Sequence, residues 1–336
     1  MTDKGISVRS SLVRILPVLM AAVAAMVMVF SSRYWVMPQI MLPTFGALLT
    51  GTWLVRSNLW HYNKRRLFIS LPAASLAGLL LSKTLAANDY FWVYPSLYVA
   101  FLGTAVILIA GKTQIYPCFG AAMLPLLFQT TSWLYPLAVF IMAVMLCAGR
   151  SFLERIGALD SLNPSGFHDL PEQRRERAIY YLQMSLGLLP ALIFVPIAGD
   201  HFLLLPPLFV TYASFCNQNS TFTHYPVQTW LQLCVAFFMG SLAYWSLGHL
   251  TQELPHVYVA PIIGLAAGVM VVLMVGVGRV FHKLFPPAMS MALTPFLIDF
   301  YAPCLVYVPI MAAYFIFVAW LVRTHPAYRS RDLNYM

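Results

Sequence analysis

Charged residues are scarce in this sequence. Asp, Glu, Lys and Arg make up 9% of its 336 residues, whereas a soluble domain carries roughly 25%. Hydrophobic residues make up 60% and occur in long runs, not in the alternation of a membrane β-barrel. The low charge excludes an ordinary soluble domain. The long apolar runs predict an all-α polytopic protein of the cell (inner or plasma) membrane.

Motifs for catalysis and metal binding are also missing. The sequence contains no HExxH, GxSxG or P-loop motif and no paired carboxylates. The five cysteines lie in apolar runs without a CxxC pair, which is typical of small buried hydrophobic residues. We therefore predict no catalytic residues, no metal site and no cofactor. An intramembrane enzyme acting on lipid is the weakest hypothesis, because no acid–base pair is visible.

The apolar residues fall into twelve segments. Segments 115–128, 202–216 and 284–298 are shorter than the roughly 20 residues of a straight transmembrane helix. They are predicted to be proline-started helices that are tilted, re-entrant or broken within the bilayer. The twelve segments are 15–31, 36–55, 67–87, 91–110, 115–128, 132–148, 179–198, 202–216, 227–248, 257–279, 284–298 and 301–322.

Lysine and arginine are distributed unevenly among the connections. With the N-terminus in the cytoplasm, 18 of the 20 fall on the cytoplasmic side, and only Arg33 and Lys83 fall near the outer side. Because basic loops stay in the cytoplasm, we predict twelve spans with both termini cytoplasmic. The net charge of +9 is spread over loops, which argues against a nucleic acid partner. The lipid bilayer and a small molecule or ion are the expected partners, and homo-oligomerisation is left open.

One long polar connection divides the chain. The expected organisation is a six-span repeat over 1–148, a cytoplasmic linker over 149–178, and a second six-span repeat with a cytoplasmic tail over 179–336. Residues 172–177 are predicted to form a surface helix that runs into the seventh segment. The linker is either a solvated connection or a site for a regulatory or partner protein. Residues 1–14 are predicted to be a cytoplasmic tail, not a signal peptide.

A proline-started apolar motif recurs four times. Pro-Thr-Phe-Gly-Ala at 43–47 is nearly repeated as Pro-Cys-Phe-Gly-Ala at 117–121, and degraded versions begin at Pro206 and Pro286. A proline costs little at a helix start, because the first amide has no partner there. Helices that begin inside the membrane would turn positive ends toward anions. The alternative is that these prolines and glycines are packing kinks in a crowded bundle.

These segments supply the candidate site. The predicted substrate-binding residues are Pro43, Thr44, Phe45, Gly46, Pro117, Phe119, Gly120, Pro206, Pro207, Pro286, Pro287 and Ser290. His61 and His224 lie at cytoplasmic ends of segments and are candidates for gating or pH sensing. The alternative for both histidines is an amphipathic anchor at the membrane surface.

The two halves of the chain repeat each other. A shift of 163 residues places His61-Tyr62 on His224-Tyr225, and a shift of 170 places the prolines at 117 and 125 on those at 287 and 295. Six spans per half is an even number, so the repeats are predicted to be parallel. The motif shared by 43–47 and 117–121 also suggests a three-plus-three inverted repeat inside each half.

The run Phe-Pro-Pro-Ala-Met-Ser-Met-Ala-Leu at 285–293 resembles the His-Pro-Pro-Ala-Gly-Ala-x-Ala-Leu signature of the HPP family of integral membrane proteins. The segment 43–47 is similar to the family's earlier Phe-Gly-Ala segment. Phe285 and Tyr116 stand where the signature has histidine, which puts any histidine-dependent step in doubt. The resemblance implies a tandem, two-unit version of the family. Because some HPP proteins are associated with nitrite or similar small-anion transport, it also implies that class of substrate.

Two functions follow from these observations. The first is a transporter or channel-like permease for a small anion or small polar solute, with its path between the repeats. A proton- or sodium-coupled carrier would usually show an intramembrane carboxylate, and no Asp or Glu lies deep in any apolar segment. The second is a non-transporting scaffold or assembly factor that acts through the 149–178 connection.

Overall fold

The computed structural model describes most of the chain. The described residues are 3–35, 42–55, 60, 63–85, 92–161, 171–198, 201–217, 220–252, 254–297 and 302–324. They form helices joined by short turns, and no strand occurs among them. The all-helical class predicted from the sequence is therefore confirmed for this part of the chain.

Each of the twelve predicted apolar segments contains a helix. The helices are α1 Asp3–Tyr34, α2 Phe45–Leu49 with a π-helical extension Thr50–Leu54, α3 Lys64–Thr84, α4 Val93–Ala110, α5 Pro117–Leu127, α6 Leu134–Arg155, α7 Pro171–Ala198, α8 Pro206–Cys216, α9 Pro226–Thr251, α10 His256–Val280, α11 Pro286–Leu297 and α12 Cys304–Thr324.

Eight of these helices are long and apolar enough to cross a membrane, which supports a multi-pass membrane protein. The other four, α2, α5, α8 and α11, are the proline-started segments. Of these, α5, α8 and α11 have 11 or 12 residues, which is about half of what a bilayer requires. Twelve complete crossings remain a prediction.

One expectation about helix bounds needs correction. The segment 36–55 was expected to be a full-length span, but in its described part the helix begins only at Phe45, after the turn at Pro43 and Thr44. Residues 3–14 are the helical start of α1, and their place in a cytoplasmic tail stays a prediction. In the central connection, α6 runs to Arg155 and α7 begins at Pro171, so the predicted helix at 172–177 is the start of α7.

The four short helices lie at the centre of the molecule. Every residue of α8 and α11 is buried, and so are residues 45–53 and 117–126. They contact one another in the order α2–α11–α8–α5, and α5 returns to α2. We call these four helices the central cluster. All of the exposed large hydrophobic side chains on the described helices belong to the eight long helices, which therefore carry the lipid-facing surface.

The long helices cross between the two halves of the chain. α1 packs mainly on α10, and α7 packs mainly on α4. A Cβ atom placed on Gly268 of α10 would lie 3.0 Å from the Ala22 carbonyl oxygen of α1. At the other crossing, the Tyr98 hydroxyl of α4 lies 3.2 Å from the Ser185 hydroxyl of α7. Each half therefore contributes one long helix to each of these two contacts.

Two glycines bring long helices against the central cluster. Gly78 of α3 lies against the backbone of Ala122 in α5, and Gly240 of α9 lies against the backbone of Ala292 in α11. At both positions a side-chain carbon would overlap the alanine carbonyl oxygen. These contacts require glycine, because a helix backbone cannot yield as a flexible side chain can.

We expect Gly78→Ala and Gly240→Ala each to destabilise the protein by about 1–3 kcal/mol, the usual cost of overpacking. The measurement is the thermal midpoint of the detergent-solubilised protein. Gly103→Ala is the matched control, because a Cβ atom there meets no atom within 4 Å. Equal midpoints for all three variants would show that the close contacts do not limit stability.

Candidate functional site

The central cluster and the turn before α2 contain all of the predicted substrate-binding residues. The helices of the cluster begin in the same way, with the first available amide bonded to a carbonyl three residues earlier. These bonds run from Phe45 to Leu42 (2.8 Å), from Cys118 to Ile115 (3.0 Å), from Leu208 to Leu205 (2.9 Å) and from Ala288 to Phe285 (3.0 Å). Pro117, Pro206, Pro207, Pro286 and Pro287 have no amide hydrogen to offer. The first amides of these helices are thus absent or already bonded.

The start of α2 differs from an ordinary capped helix. Thr44 occupies the N-cap position, where a threonine side chain usually accepts a hydrogen bond from the second or third amide of the helix. Here it makes no such bond. The Ala47 amide instead donates to the Ser290 hydroxyl of α11, at 2.6 Å. A side chain from the other half of the protein has taken the capping role.

The Thr44 hydroxyl is buried and unbonded. The Thr44 side chain is fully buried, and its Oγ1 atom has no hydrogen-bond partner. An unbonded buried hydroxyl costs roughly 1–3 kcal/mol in proteins. The hydroxyl can donate one hydrogen bond and accept two, and it makes none of them.

The other hydroxyls of Ser and Thr in the central cluster are turned back onto their own helices. Each of them donates to a carbonyl four residues earlier. These residues are Thr50, Thr52, Thr211, Ser214 and Thr294. Two hydroxyls differ from these. The Ser290 hydroxyl bonds another helix, and the Thr44 hydroxyl has no partner.

Glycines hold the backbones of the cluster close together at this point. A Cβ atom on Gly46 would lie 2.9 Å from the Met289 carbonyl carbon and from the Ser290 amide nitrogen. Gly120 of α5 lies against the Thr44 side chain, and a Cβ atom on it would lie 3.2 Å from Pro206 Cβ. Residues predicted separately in four segments thus lie against one another next to the Thr44 side chain.

Aromatic rings surround the cluster. Phe119 of α5 stacks on Phe101 of α4 with a ring-centroid distance of 4.4 Å. Phe285, which precedes α11, packs against Phe215 and Phe222 at 6.1 and 4.7 Å. Phe45 is fully buried at the start of α2. Thr44 and Ser290, which we call the polar junction, are both fully buried, so solvent reaches neither hydroxyl in this structure.

The predicted histidines do not join this junction. His224 ends a short 3₁₀ turn before α9 and is exposed. His61 lies outside the described residues. A role for His61 and His224 in gating or pH sensing remains a prediction.

Sequence reasoning missed two arginines that contact the cluster. Arg150 was grouped with the cytoplasmic basic residues, but its side chain is only 2% exposed and its Nη1 donates to the Thr52 carbonyl at 2.8 Å. Arg33 donates through Nε to the Phe296 carbonyl of α11 at 3.1 Å. For Arg150, the spacing of four residues to Glu154 was a usable signal of an ion pair along one helix.

Comparisons with known proteins give no family for this chain: no protein-family model, curated protein or solved structure matches it. The resemblance to the HPP family therefore stays a prediction. The function has to be argued from the arrangement of the residues themselves.

A tyrosine next to the cluster compensates for a proline inside α5. Pro125 cannot donate to the carbonyl of Ala121 four residues before it. The hydroxyl of Tyr135, from α6, donates to that carbonyl instead. Both residues are buried, so no solvent can replace this donor.

We expect Tyr135→Phe to lower stability by about 1–3 kcal/mol, because it leaves a buried carbonyl unsatisfied. Thermal unfolding in detergent, followed by size-exclusion chromatography of the heated samples, measures the effect. Tyr258→Phe removes a hydroxyl from a residue that is 60% exposed and serves as the control. If both variants unfold at the same temperature as the wild type, the hydrogen bond from Tyr135 to the Ala121 carbonyl does not contribute to stability.

Proposed function

We propose that the protein is a membrane transporter or channel-like permease for a small anion or small polar solute. The path runs between the two halves of the chain and through the central cluster. The observation that carries the proposal is the Thr44 hydroxyl, which is buried without a partner where α2, α5 and α11 meet. Uncompensated polar groups at membrane depth are costly, so they are kept mainly where they serve a function.

The chemistry of the cluster limits the class of substrate. Within the described residues, Arg150 is the one buried Lys, Arg, His, Asp or Glu, and it lies in α6, outside the cluster. A guest at Thr44 and Ser290 would meet hydroxyls, helix dipoles and aromatic rings, but no charged side chain. This environment suits an ion with a single, weakly hydrated charge or a neutral polar molecule. It offers no carboxylate for coupling to sodium or protons.

We also infer that the halves are two parallel six-helix repeats. Contacts recur in matched pairs: α3 on α5 corresponds to α9 on α11, α1 on α10 corresponds to α7 on α4, and α2 on α11 corresponds to α8 on α5. The close glycines also correspond, since Gly78 and Gly240 are 162 residues apart and their partners Ala122 and Ala292 are 170 apart. Transporters built from repeats commonly place the substrate between them.

The twelve helices are proposed to cross the membrane in alternate directions with both termini in the cytoplasm. Contacts between helix ends support this. Lys64 at the start of α3 pairs with Glu154 at the end of α6 at 2.6 Å. At the opposite ends of these helices, the Lys83 ammonium lies 4.1 Å from the centre of the Trp133 ring. The first contact belongs to the basic, cytoplasmic side.

Flux through reconstituted liposomes tests the proposed activity. We expect the wild type to transport at least one of nitrite, nitrate and formate, and we expect Thr44→Val and Ser290→Ala to reduce that flux about tenfold or more, the effect of losing roughly one hydrogen bond. Thr104→Val is the control, because Thr104 is fully buried but bonds its own helix at Ala100.

The proposal fails if wild-type vesicles show no flux above empty vesicles for anions and neutral polar solutes alike. It also fails if Thr104→Val reduces flux as much as the two variants at the junction. In the first case the alternative is the scaffold acting through the cytoplasmic connection, whereas in the second case transport stands and the site at Thr44 and Ser290 is rejected. Pull-down with and without residues 162–170 would then show whether a partner depends on that segment.

Cysteine labelling tests the orientation. In a variant lacking the five native cysteines, we expect Thr84→Cys to react with an impermeant maleimide from outside the cell. We expect Asp160→Cys to react only after the membrane is opened. Both positions are exposed at opposite ends of the long helices. Labelling of both from the same side would rule out the proposed topology.

A further inference from the structure

Two arginines bind the C-terminal ends of two helices of the central cluster. The last carbonyls of a helix lack partners within the helix and carry its negative dipole end, so a cation there is favourable. Arg33 serves α11 on the outer side, and Arg150 serves α2 on the cytoplasmic side. We refer to these contacts as the Arg33 cap and the Arg150 cap.

The Arg33 cap joins three helices. Arg33, in the last turn of α1, donates through Nε to the Phe296 carbonyl of α11 at 3.1 Å and through Nη2 to the Tyr244 hydroxyl of α9 at 3.1 Å. Its guanidinium also lies 5.3 Å from the centre of the Tyr244 ring. The end of α11 is thereby fixed to two long helices.

The Arg150 cap is more deeply buried. The Arg150 side chain, in α6, is 2% exposed and donates to the Thr52 carbonyl of the α2 extension at 2.8 Å and to the Asp160 carbonyl at 2.7 Å. Its Nε donates to Glu154 at 2.9 Å, and Glu154 is also paired with Lys64 of α3 at 2.6 Å. The end of α2 is thereby tied to an ion network between α3 and α6.

Among the described residues, the other two helices of the cluster end on neutral groups. In α5, the Pro125 carbonyl accepts from the Ser82 hydroxyl at 3.1 Å and from the Thr130 amide at 2.8 Å. In α8, the Ala213 carbonyl accepts from the Tyr180 hydroxyl at 3.4 Å, which is a long bond. Arg323, in the last turn of α12, makes no hydrogen bond to an α8 carbonyl within the described part of the chain. Bonds to charged groups are about twice as strong as neutral ones.

The two helices with an arginine cap pack on each other, and so do the two helices without one. α2 and α11 are joined by the Ala47–Ser290 hydrogen bond, and α5 packs on α8 through Gly120 and Pro206. The cluster therefore consists of one pair whose C-terminal ends bond arginines and one pair whose described C-terminal ends bond neutral groups. The contact between the pairs includes Thr44 against Gly120.

We propose that α2 and α11 form the fixed wall of the transport path and that α5 and α8 form its moving wall. Movement of α5 away from α2 separates Gly120 from the Thr44 side chain and opens a space for the solute next to Thr44. Arg33 and Arg150 are positioning residues in this scheme, because they act through the two helices that they cap. This inference rests on the proposed transport function, but the difference in mobility can be measured without it.

Hydrogen–deuterium exchange of the full-length protein in lipid nanodiscs, read by mass spectrometry, tests the inference. In the wild type, we expect the amides of α2 and α11 to exchange roughly tenfold more slowly than those of α5 and α8. We expect Arg33→Gln to speed exchange in α11, and Arg150→Gln to speed exchange in α2, each by roughly ten- to a hundredfold, the factor for losing a hydrogen bond to a charged group.

Lys83→Gln is the matched control. Lys83 is also a cation near the outer side, but it packs on the Trp133 ring and caps no helix of the cluster, so we expect exchange in all four short helices to stay unchanged. Equal exchange in the four helices of the wild type overturns the proposal, as does an unchanged α11 in Arg33→Gln. If Arg150→Gln fails to fold, the wild type and Arg33→Gln still decide the question.

Flux measurements separate this inference from the proposed function. Slow exchange in α2 and α11 together with no flux would support the difference in mobility between the two helix pairs and reject transport. Flux together with equal exchange in all four helices would preserve transport and reject the assignment of fixed and moving walls.

Discussion

Backbone hydrogen bonding in lipid is the constraint on which the rest of this structure depends. The bilayer core offers no partner for an amide or a carbonyl, so a helix that starts or stops at membrane depth has to be enclosed by protein. The four short helices satisfy this requirement by lying inside a shell of eight long helices. Prolines remove the amides that would otherwise be unpaired, and Tyr135 supplies the donor that Pro125 removes from α5.

The same constraint explains where the polar groups lie. Most hydroxyls of the central cluster bond a carbonyl of their own helix, which satisfies them without involving a neighbour. Ser290 instead crosses to the start of α2, and this leaves the Thr44 hydroxyl without its usual partner. The polar junction is thus a product of close packing between halves. Glycines at positions 46 and 120 allow that packing, since a larger residue at either position would keep the helices apart.

Much of this architecture could be predicted from the sequence. The pattern of a proline followed by small apolar residues predicted the positions of all four central helices, because a proline within an apolar segment is tolerated best at a helix start. The unpartnered state of Thr44 could not be predicted, since it depends on which distant side chain reaches Ala47. Arg150 was also missed. The predicted polar connection began at residue 149 and placed Arg150 in water. In the structure α6 continues to Arg155, and the Arg150 guanidinium bonds the Thr52 carbonyl.

The crossing of α1 with α10 and of α4 with α7 has a consequence for biosynthesis. α1 is made before α10, and this main partner is completed only when residue 280 has been synthesised. During most of translation α1 therefore has to remain in the membrane as a separate helix, with its small-residue face covered by lipid or by the insertion machinery. Neither half contains all the partners of its own helices, so expression of one half alone should give a product that assembles only when the other half is supplied.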